Sequence, residues 1–138
     1  NRRLGVMVEI NCETDFVANT DNFRNFCKEI ALHIANLKPL YIKREHVPNA
    51  IIEAERELYR RRTLEEGKPA AVVDKIVDGR MEKFYQEIVL MEQPWLKDDA
   101  KTIQQLLSET VSETGDGIEI RRFDCFVLGD SGEADAGE

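Results

Sequence analysis

The hydrophobic positions near the two ends of the chain follow the alternating pattern of β-strands. Residues 4–11 are rich in Val and Ile at every second position, so these side chains share one face of a strand. Residues 118–128 alternate as well, but their apolar positions change from even to odd numbers near Arg122. This change of face indicates a β-bulge in a long closing strand.

Between these strands, apolar residues recur at the three- and four-residue spacing of α-helices. Asn19, Thr20 and Asp21 offer side chains that can cap the first helix, and Pro39 follows its end. We expect four helices, over about residues 21–37, 49–65, 69–91 and 102–111.

Glycine and proline mark the boundaries of the middle helices. Gly67 followed by Pro69 indicates the end of one helix and the start of the next. Gly79 interrupts the longest helical pattern, and we expect it to allow the close approach of another backbone. Pro94 and Trp95 end that pattern.

The order of elements, strand, helices and strand, predicts an α+β fold. Helices would cover one face of a small, mostly antiparallel sheet with strands near 4–11 and 118–128. Two strands alone are marginal, so a further strand is expected upstream. The chain begins with Asn1 rather than Met, inside a strand-like pattern, which is typical of a fragment.

Composition narrows the classes of partner. The net charge of −8 argues against direct binding of nucleic acid, which requires clustered Lys and Arg. No apolar run approaches the roughly 20 residues that span a membrane, so no membrane partner is expected. Residues 129–138 carry four acids and no base, and we expect a disordered acidic tail.

The sequence contains no constellation typical of an enzyme. The three cysteines are far apart in sequence and form no CxxC pair, and the two histidines complete no zinc ligand set. No phosphate loop, GxSxG or HExxH motif occurs. Glu13 and Asp15 lie near one connection but have no neighbouring base. We expect no metal, no cofactor and no catalytic residues.

The most unusual connection is Thr14-Asp15-Phe16-Val17, which follows the first strand. An aromatic side chain on an exposed connection is a candidate anchor for a partner, since aromatic residues are enriched in binding hot spots. Alternatively, Phe16 folds back under the first helix as a hydrophobic plug. The pattern of residues leaves both possibilities open.

Residues 11–18, NCETDFVA, resemble the hallmark of elongation factor Ts, the nucleotide exchange factor of elongation factor Tu. The resemblance extends from about residue 4 to residue 129. Five further segments are similar to the family in the same order: ALHIA at 31–35, EGKP at 66–69, KIVDGR at 75–80, LMEQPW at 90–95 and RRF at 121–123.

The resemblance implies a short family member with a single core module, here residues 1–128. The family's N-terminal helical domain and the first strand of the core would be missing, and core modules of this kind pair into a homodimer. Members act in the bacterial cytoplasm, the mitochondrial matrix or the plastid stroma. An alternative is a dimerising scaffold module of a larger translation-associated protein, with weak exchange activity.

The resemblance also implies roles for the connection. Asp15 would position the loop on elongation factor Tu, and Phe16 would wedge near the magnesium and phosphate site of that GTPase. Thr14 and Val17 would shape and support the turn. GDP release would follow from this distortion, without chemistry on the chain itself.

Overall fold

The computed structural model of the chain describes residues 3–129, which divide into two compact units. Unit 1 contains the residues before Pro39 and those from Gln105 onward, and unit 2 contains residues 39–104. The acidic tail expected over residues 129–138 lies outside the described residues, except for Gly129. The elements are β1 (Leu4–Asn11), α1 (Asp15–Ala18), α2 (Asp21–Leu37), α3 (Asn49–Glu65), α4 (Ala70–Ile88), β2 (Pro94–Trp95), β3 (Asp98–Thr102), α5 (Ile103–Thr114) and β4 (Glu119–Val127).

The sheet of unit 1 consists of β1 and β4, paired antiparallel. Glu9 lies opposite Arg122, whereas Ile10 lies opposite Ile120, so Arg121 is an extra residue in β4. This bulge explains the change of face in the sequence pattern, and the predicted irregularity is confirmed.

Helix α2 covers this sheet by packing against β1. Thr20 is its N-cap: the Thr20 hydroxyl accepts a hydrogen bond from the Phe23 N–H at 3.3 Å. Helix α2 spans Asp21–Leu37, the same range that the sequence predicts for the first of the four expected helices. Its buried residues form one face: Phe23, Phe26, Ile30, His33 and Ile34.

Unit 2 is built on α3 and α4, which pack against each other. Gly67 lies after α3 with φ of 82°, the left-handed conformation expected of a residue that terminates a helix. Ion pairs join the exposed sides of the two helices, among them Arg56–Asp78 at 2.8 Å and Arg60–Asp74 at 3.0 Å. The buried apolar core includes a cluster of six residues, Val47, Val73, Val77, Met81, Tyr85 and Val89.

Arg44 forms a polar clamp over this core. It donates hydrogen bonds to Glu82 at 2.8 and 3.0 Å and to Glu92, with Nε at 3.0 Å from Glu92 Oε2. Its guanidinium carbon lies 4.1 Å from the centre of the Tyr85 ring, a cation–π contact. The Arg44 side chain thus covers an aromatic ring that is only 8% exposed.

The α+β class is confirmed: the described residues form helices and small antiparallel sheets of two strands each. Three details differ from expectation. The segment after β1 is one turn of helix, α4 ends at Ile88 rather than near Met91, and β2 and β3 form a hairpin that no pattern indicated. The further upstream strand stays a prediction.

Gly79 also differs from expectation. A Cβ atom placed on this glycine would meet nothing within 4 Å beyond its own helix, and the residue is exposed. The expected close approach of another backbone is therefore wrong. Gly79 lies on the solvent side of α4, which continues through it without a break.

Candidate functional site

The connection of interest forms α1, a single helical turn capped by Thr14. The Thr14 hydroxyl accepts a hydrogen bond from the Val17 N–H at 3.2 Å, and the Ala18 N–H donates to the Thr14 carbonyl at 3.1 Å. A helix of four residues is not stable by itself, because helix nucleation is unfavourable. The turn therefore depends on contacts from the residues around it.

The two large apolar residues of the turn differ in burial. Val17 is only 3% exposed, whereas the Phe16 side chain is 83% exposed. The plug possibility for Phe16 is therefore wrong, because Val17 supplies the buried contact. Asp15 is exposed beside Phe16 in the first turn. Of the four predicted residues, the structure buries Val17 and leaves Thr14, Asp15 and Phe16 exposed, with Thr14 at the N-terminal end of the turn as its cap.

The C-terminal end of the turn is tied to the start of α2. The Thr20 hydroxyl donates to the Val17 carbonyl at 2.7 Å, and the Thr20 N–H donates to the same oxygen at 2.9 Å. The Asn19 amide donates to the Asp15 carbonyl at 2.9 Å. These bonds satisfy carbonyl groups that a short helix leaves without intrahelical partners.

The N-terminal end is held by Asp116, from the connection that precedes β4. One carboxylate oxygen of Asp116, Oδ2, accepts hydrogen bonds from the Thr14 N–H at 2.9 Å and from the Thr14 hydroxyl at 2.8 Å. Asp116 is only 9% exposed. Gly115 beside it has φ of 81°, a backbone conformation that favours glycine.

Asp116 was not among the residues singled out from the sequence. It is 102 residues from Thr14, and an Asp between two glycines is typical of any polar turn. A signal does exist in the strand pairing. Because β1 and β4 are antiparallel, the residues after Asn11 must lie near those before Glu119. That reasoning needs the pairing to be known first.

Two cysteines lie near the turn. The Cys12 thiol donates to the Thr14 carbonyl with a sulfur–oxygen distance of 3.3 Å. Burial raises the pKa of the Cys27 thiol above its ordinary value, and the nearby Cys12 adds to this rise. Cys27 is therefore protonated and a weak nucleophile at neutral pH.

Neither a cluster of potential metal ligands nor a membrane-spanning helix is found among the described residues. Within residues 3–129, no three His, Cys, Asp or Glu side chains are grouped as potential metal ligands. None of the helices described is both long and apolar enough to cross a bilayer. The turn presents the exposed aromatic side chain of Phe16, and hydrogen bonds hold the turn at both ends.

Comparisons with known proteins agree with the resemblance. The profile of the family described as Elongation factor TS matches residues 1–130. Elongation factor Ts of Thermoanaerobacter sp. (strain X514) is 54% identical over 136 residues, which cover 99% of this chain and 67% of the relative. Elongation factor Ts of Citrifermentans bemidjiense is 52% identical over 128 residues, covering 93% of this chain and 59% of the relative.

A third relative, elongation factor Ts of Carboxydothermus hydrogenoformans, is 54% identical over 128 residues, again 93% of this chain and 59% of the relative. The chain thus spans between 59 and 67% of the length of these relatives. The match to the family profile extends over almost the whole chain and includes the turn at Phe16. The chain belongs to the elongation factor Ts family.

Proposed function

We propose that the chain acts as a guanine nucleotide exchange factor for elongation factor Tu during translation elongation. Membership of the elongation factor Ts family supports this activity. The observation that carries the proposal is the position of Phe16: its ring is 83% exposed although the turn beneath it is held by hydrogen bonds at both ends. In our proposal, an apolar site on the partner binds the exposed ring of Phe16.

In the proposed mechanism, the turn inserts into the GTPase near its magnesium and phosphate site. Phe16 is the wedge, and Asp15 positions the turn by a polar contact with the partner. Thr14 and Val17 support the turn from within this chain: Thr14 caps it through a hydrogen bond, and Val17 is buried. The distortion weakens the contacts of the GTPase with magnesium and phosphate, so that GDP dissociates. The chain needs no cofactor and no catalytic residue for this.

Energy estimates indicate that Phe16 does not act alone. A thousandfold acceleration of release requires lowering the barrier by about 4 kcal/mol. Burying one Phe side chain contributes about 1.5–3 kcal/mol, before any cost of deforming the partner. A wider surface must therefore hold the complex together. Helix α2 and strand β4, which belong to the same unit as Phe16, are our candidates for it.

The mechanism requires a reciprocal effect. If the exchange factor weakens nucleotide binding, the nucleotide must weaken binding of the exchange factor by the same factor. GDP added in excess should therefore dissociate the complex of this chain with elongation factor Tu. This linkage distinguishes an exchange factor from a scaffold that binds the GTPase without regard to its nucleotide.

Release of a fluorescent GDP analogue from elongation factor Tu tests the proposal. We expect the chain to accelerate release, and Phe16→Ala to lose about tenfold or more of the acceleration, in line with the burial of one Phe side chain. Leu40→Ala is the matched control, since Leu40 is an exposed apolar residue of unit 2. Equal acceleration by Phe16→Ala and the unsubstituted chain would refute the wedge.

Exposed apolar side chains on the sheet of unit 1 support a homodimer. They equally support the alternative of a dimerising scaffold. Met7 and Phe126 are exposed apolar side chains on β1 and β4, and Leu128 is exposed just after β4. Molar mass in solution, measured with and without elongation factor Tu, tests this. A stable dimer that never captures the GTPase would favour the scaffold over the exchange factor.

The bacterial cytoplasm is the proposed location, because the relatives compared above are bacterial elongation factors. Elongation factor Tu and a second copy of the chain are the proposed partners. Neither nucleic acid nor a membrane is proposed as a direct partner.

A further inference from the structure

We infer that Asp116 is a positioning residue for nucleotide exchange, which acts through Thr14 to hold Phe16 in its exposed orientation. The inference rests on the proposed function and adds a residue to it. Asp116 does not belong to the turn and is only 9% exposed, so it is not placed to contact a partner. Its carboxylate instead contacts the residue that caps α1.

The first step concerns the Thr14 hydroxyl, which has one proton and two lone pairs. Its proton is donated to Asp116 Oδ2 at 2.8 Å. With the proton engaged there, a lone pair is available to the Val17 N–H, which lies 3.2 Å from the hydroxyl oxygen. Asp116 thus selects the orientation of the hydroxyl in which Thr14 can cap the helix.

The second step concerns the Thr14 backbone. The Thr14 N–H donates to the same carboxylate oxygen at 2.9 Å, so Asp116 holds both the main chain and the side chain of the capping residue. Hydrogen bonds to an ionised acceptor are stronger than those between neutral groups. A turn of four residues has few other constraints at its N-terminal end, since nucleation of a helix is unfavourable.

The third step leads to Phe16, which lies between the cap at Thr14 and the buried Val17. Val17 anchors one side of the turn by burial, and Asp116 anchors the other side through Thr14. Without Asp116, the turn must become ordered during the encounter with the GTPase. That cost falls on the insertion of Phe16, whereas contacts elsewhere on unit 1 still hold the complex.

This division predicts a separation of two kinetic quantities. Asp116→Ala should lower the maximal exchange rate about fivefold to tenfold, the effect of losing one helix cap. The concentration for half-maximal exchange should change less than about twofold, because hot-spot contacts elsewhere hold the complex. Asp116→Asn keeps an oxygen acceptor without the charge, and it should recover part of the rate.

The decisive experiment is a double-mutant cycle on the full chain, with release of a fluorescent GDP analogue from elongation factor Tu as the readout. Asp116→Ala is compared in the presence of Phe16 and in the presence of Phe16→Ala. If Asp116 acts by positioning the ring, its substitution has an effect only while the ring is there. Asp99→Ala, an exposed carboxylate of β3 in unit 2, is the matched control and should leave the rate unchanged.

An equal loss of rate from Asp116→Ala with and without the Phe16 ring would overturn the inference, because it would show a general structural role. So would an unchanged rate for Asp116→Ala. If Asp116→Ala fails to fold by circular dichroism, the same cycle with Asp116→Asn replaces it, and a loss confined to the chain with Phe16 supports the inference. Unchanged exchange in Phe16→Ala alone refutes the wedge role of Phe16, and no acceleration by the unsubstituted chain refutes the proposed function itself, which separates these failures from that of the inference.

Discussion

Hydrogen bonds to carboxylates support both the Phe16 turn of unit 1 and the Arg44 clamp of unit 2, but the aromatic residue is exposed in the turn and buried in the clamp. In the clamp, carboxylates hold Arg44 over the ring of Tyr85, which is 8% exposed. In the turn, the Asp116 carboxylate holds Thr14, and the neighbouring ring of Phe16 is 83% exposed. The hydrogen bonds of the clamp hold Arg44 over the Tyr85 ring, whereas those of Asp116 support a turn whose Phe16 ring is exposed to solvent.

This difference shows how to separate folding from function in the chain. A buried ring repays the cost of ordering it through the burial of apolar surface within the chain. An exposed ring contributes almost nothing to the folded state, and because aromatic residues are enriched in binding hot spots, Phe16 is a candidate contact for a partner. The variants below test whether the two aromatic residues really differ in this way.

The largest expected effect on stability comes from removing the covered ring. Tyr85→Ala should lower the free energy of unfolding by about 3–5 kcal/mol, the usual cost of deleting a buried aromatic side chain. Phe16→Ala should change it by less than about 0.5 kcal/mol, as for surface substitutions. Urea denaturation followed by circular dichroism measures both. Comparable losses of stability from the two variants would contradict the comparison.

The next effect comes from removing the cover and leaving the ring. Arg44→Ala should destabilise the chain by about 1–2 kcal/mol, since it removes a cation–π contact and partly exposed ion pairs. Arg44→Lys is the control: it keeps the positive charge but lacks the planar fork that reaches two carboxylates. If Arg44→Lys is as stable as the unsubstituted chain, charge alone explains the clamp.

Many of the helix and strand boundaries could be predicted from the sequence, because the residues that determine them lie close by in the chain. The polar cap at Thr20, the apolar period of α2 and the Gly67 stop lie within a few residues of the boundaries that they determine. The bulge at Arg121 was also readable, because an extra residue changes the parity of the apolar positions.

The parts that could not be predicted depend on contacts between distant residues. Asp116 reaches Thr14 across 102 residues, and Arg44 reaches Glu82 and Glu92 across 38 and 48 residues. No local pattern determines such pairs. The same limit applies to the neighbours Phe16 and Val17, since only tertiary packing decides which of two adjacent apolar residues is buried.

A smaller effect of opposite sign is expected at Gly79, which belongs to unit 2 but to neither region. Because a Cβ atom there would meet no neighbour beyond α4 itself, Gly79→Ala should stabilise the chain by about 0.5–1 kcal/mol. Gly67→Ala is the control and should destabilise it, since Gly67 has φ of 82°. A loss of stability in Gly79→Ala would mean that the glycine has a role in packing after all.

The smallest effect is the pH dependence of the clamp. The hydrogen bond from Arg44 holds the pKa of Glu82 below its ordinary value of 4.5. A carboxyl whose pKa is lowered by folding stabilises the protein above its unfolded pKa, and this contribution is lost as the pH falls through the folded pKa. The stability difference between the unsubstituted chain and Arg44→Ala should therefore shrink below about pH 4.5.

Only a few tenths of a kcal/mol are expected, because the Glu82 side chain is 58% exposed and solvent screens the pair. Urea denaturation at several pH values between about 7 and 3.5 measures the effect. The Glu82→Gln chain supplies the control, since its side chain at position 82 does not titrate in this range. If the effect of Arg44→Ala depends on pH equally strongly with Gln at this position, Glu82 is not the source, and the clamp over Tyr85 owes its pH dependence to another group.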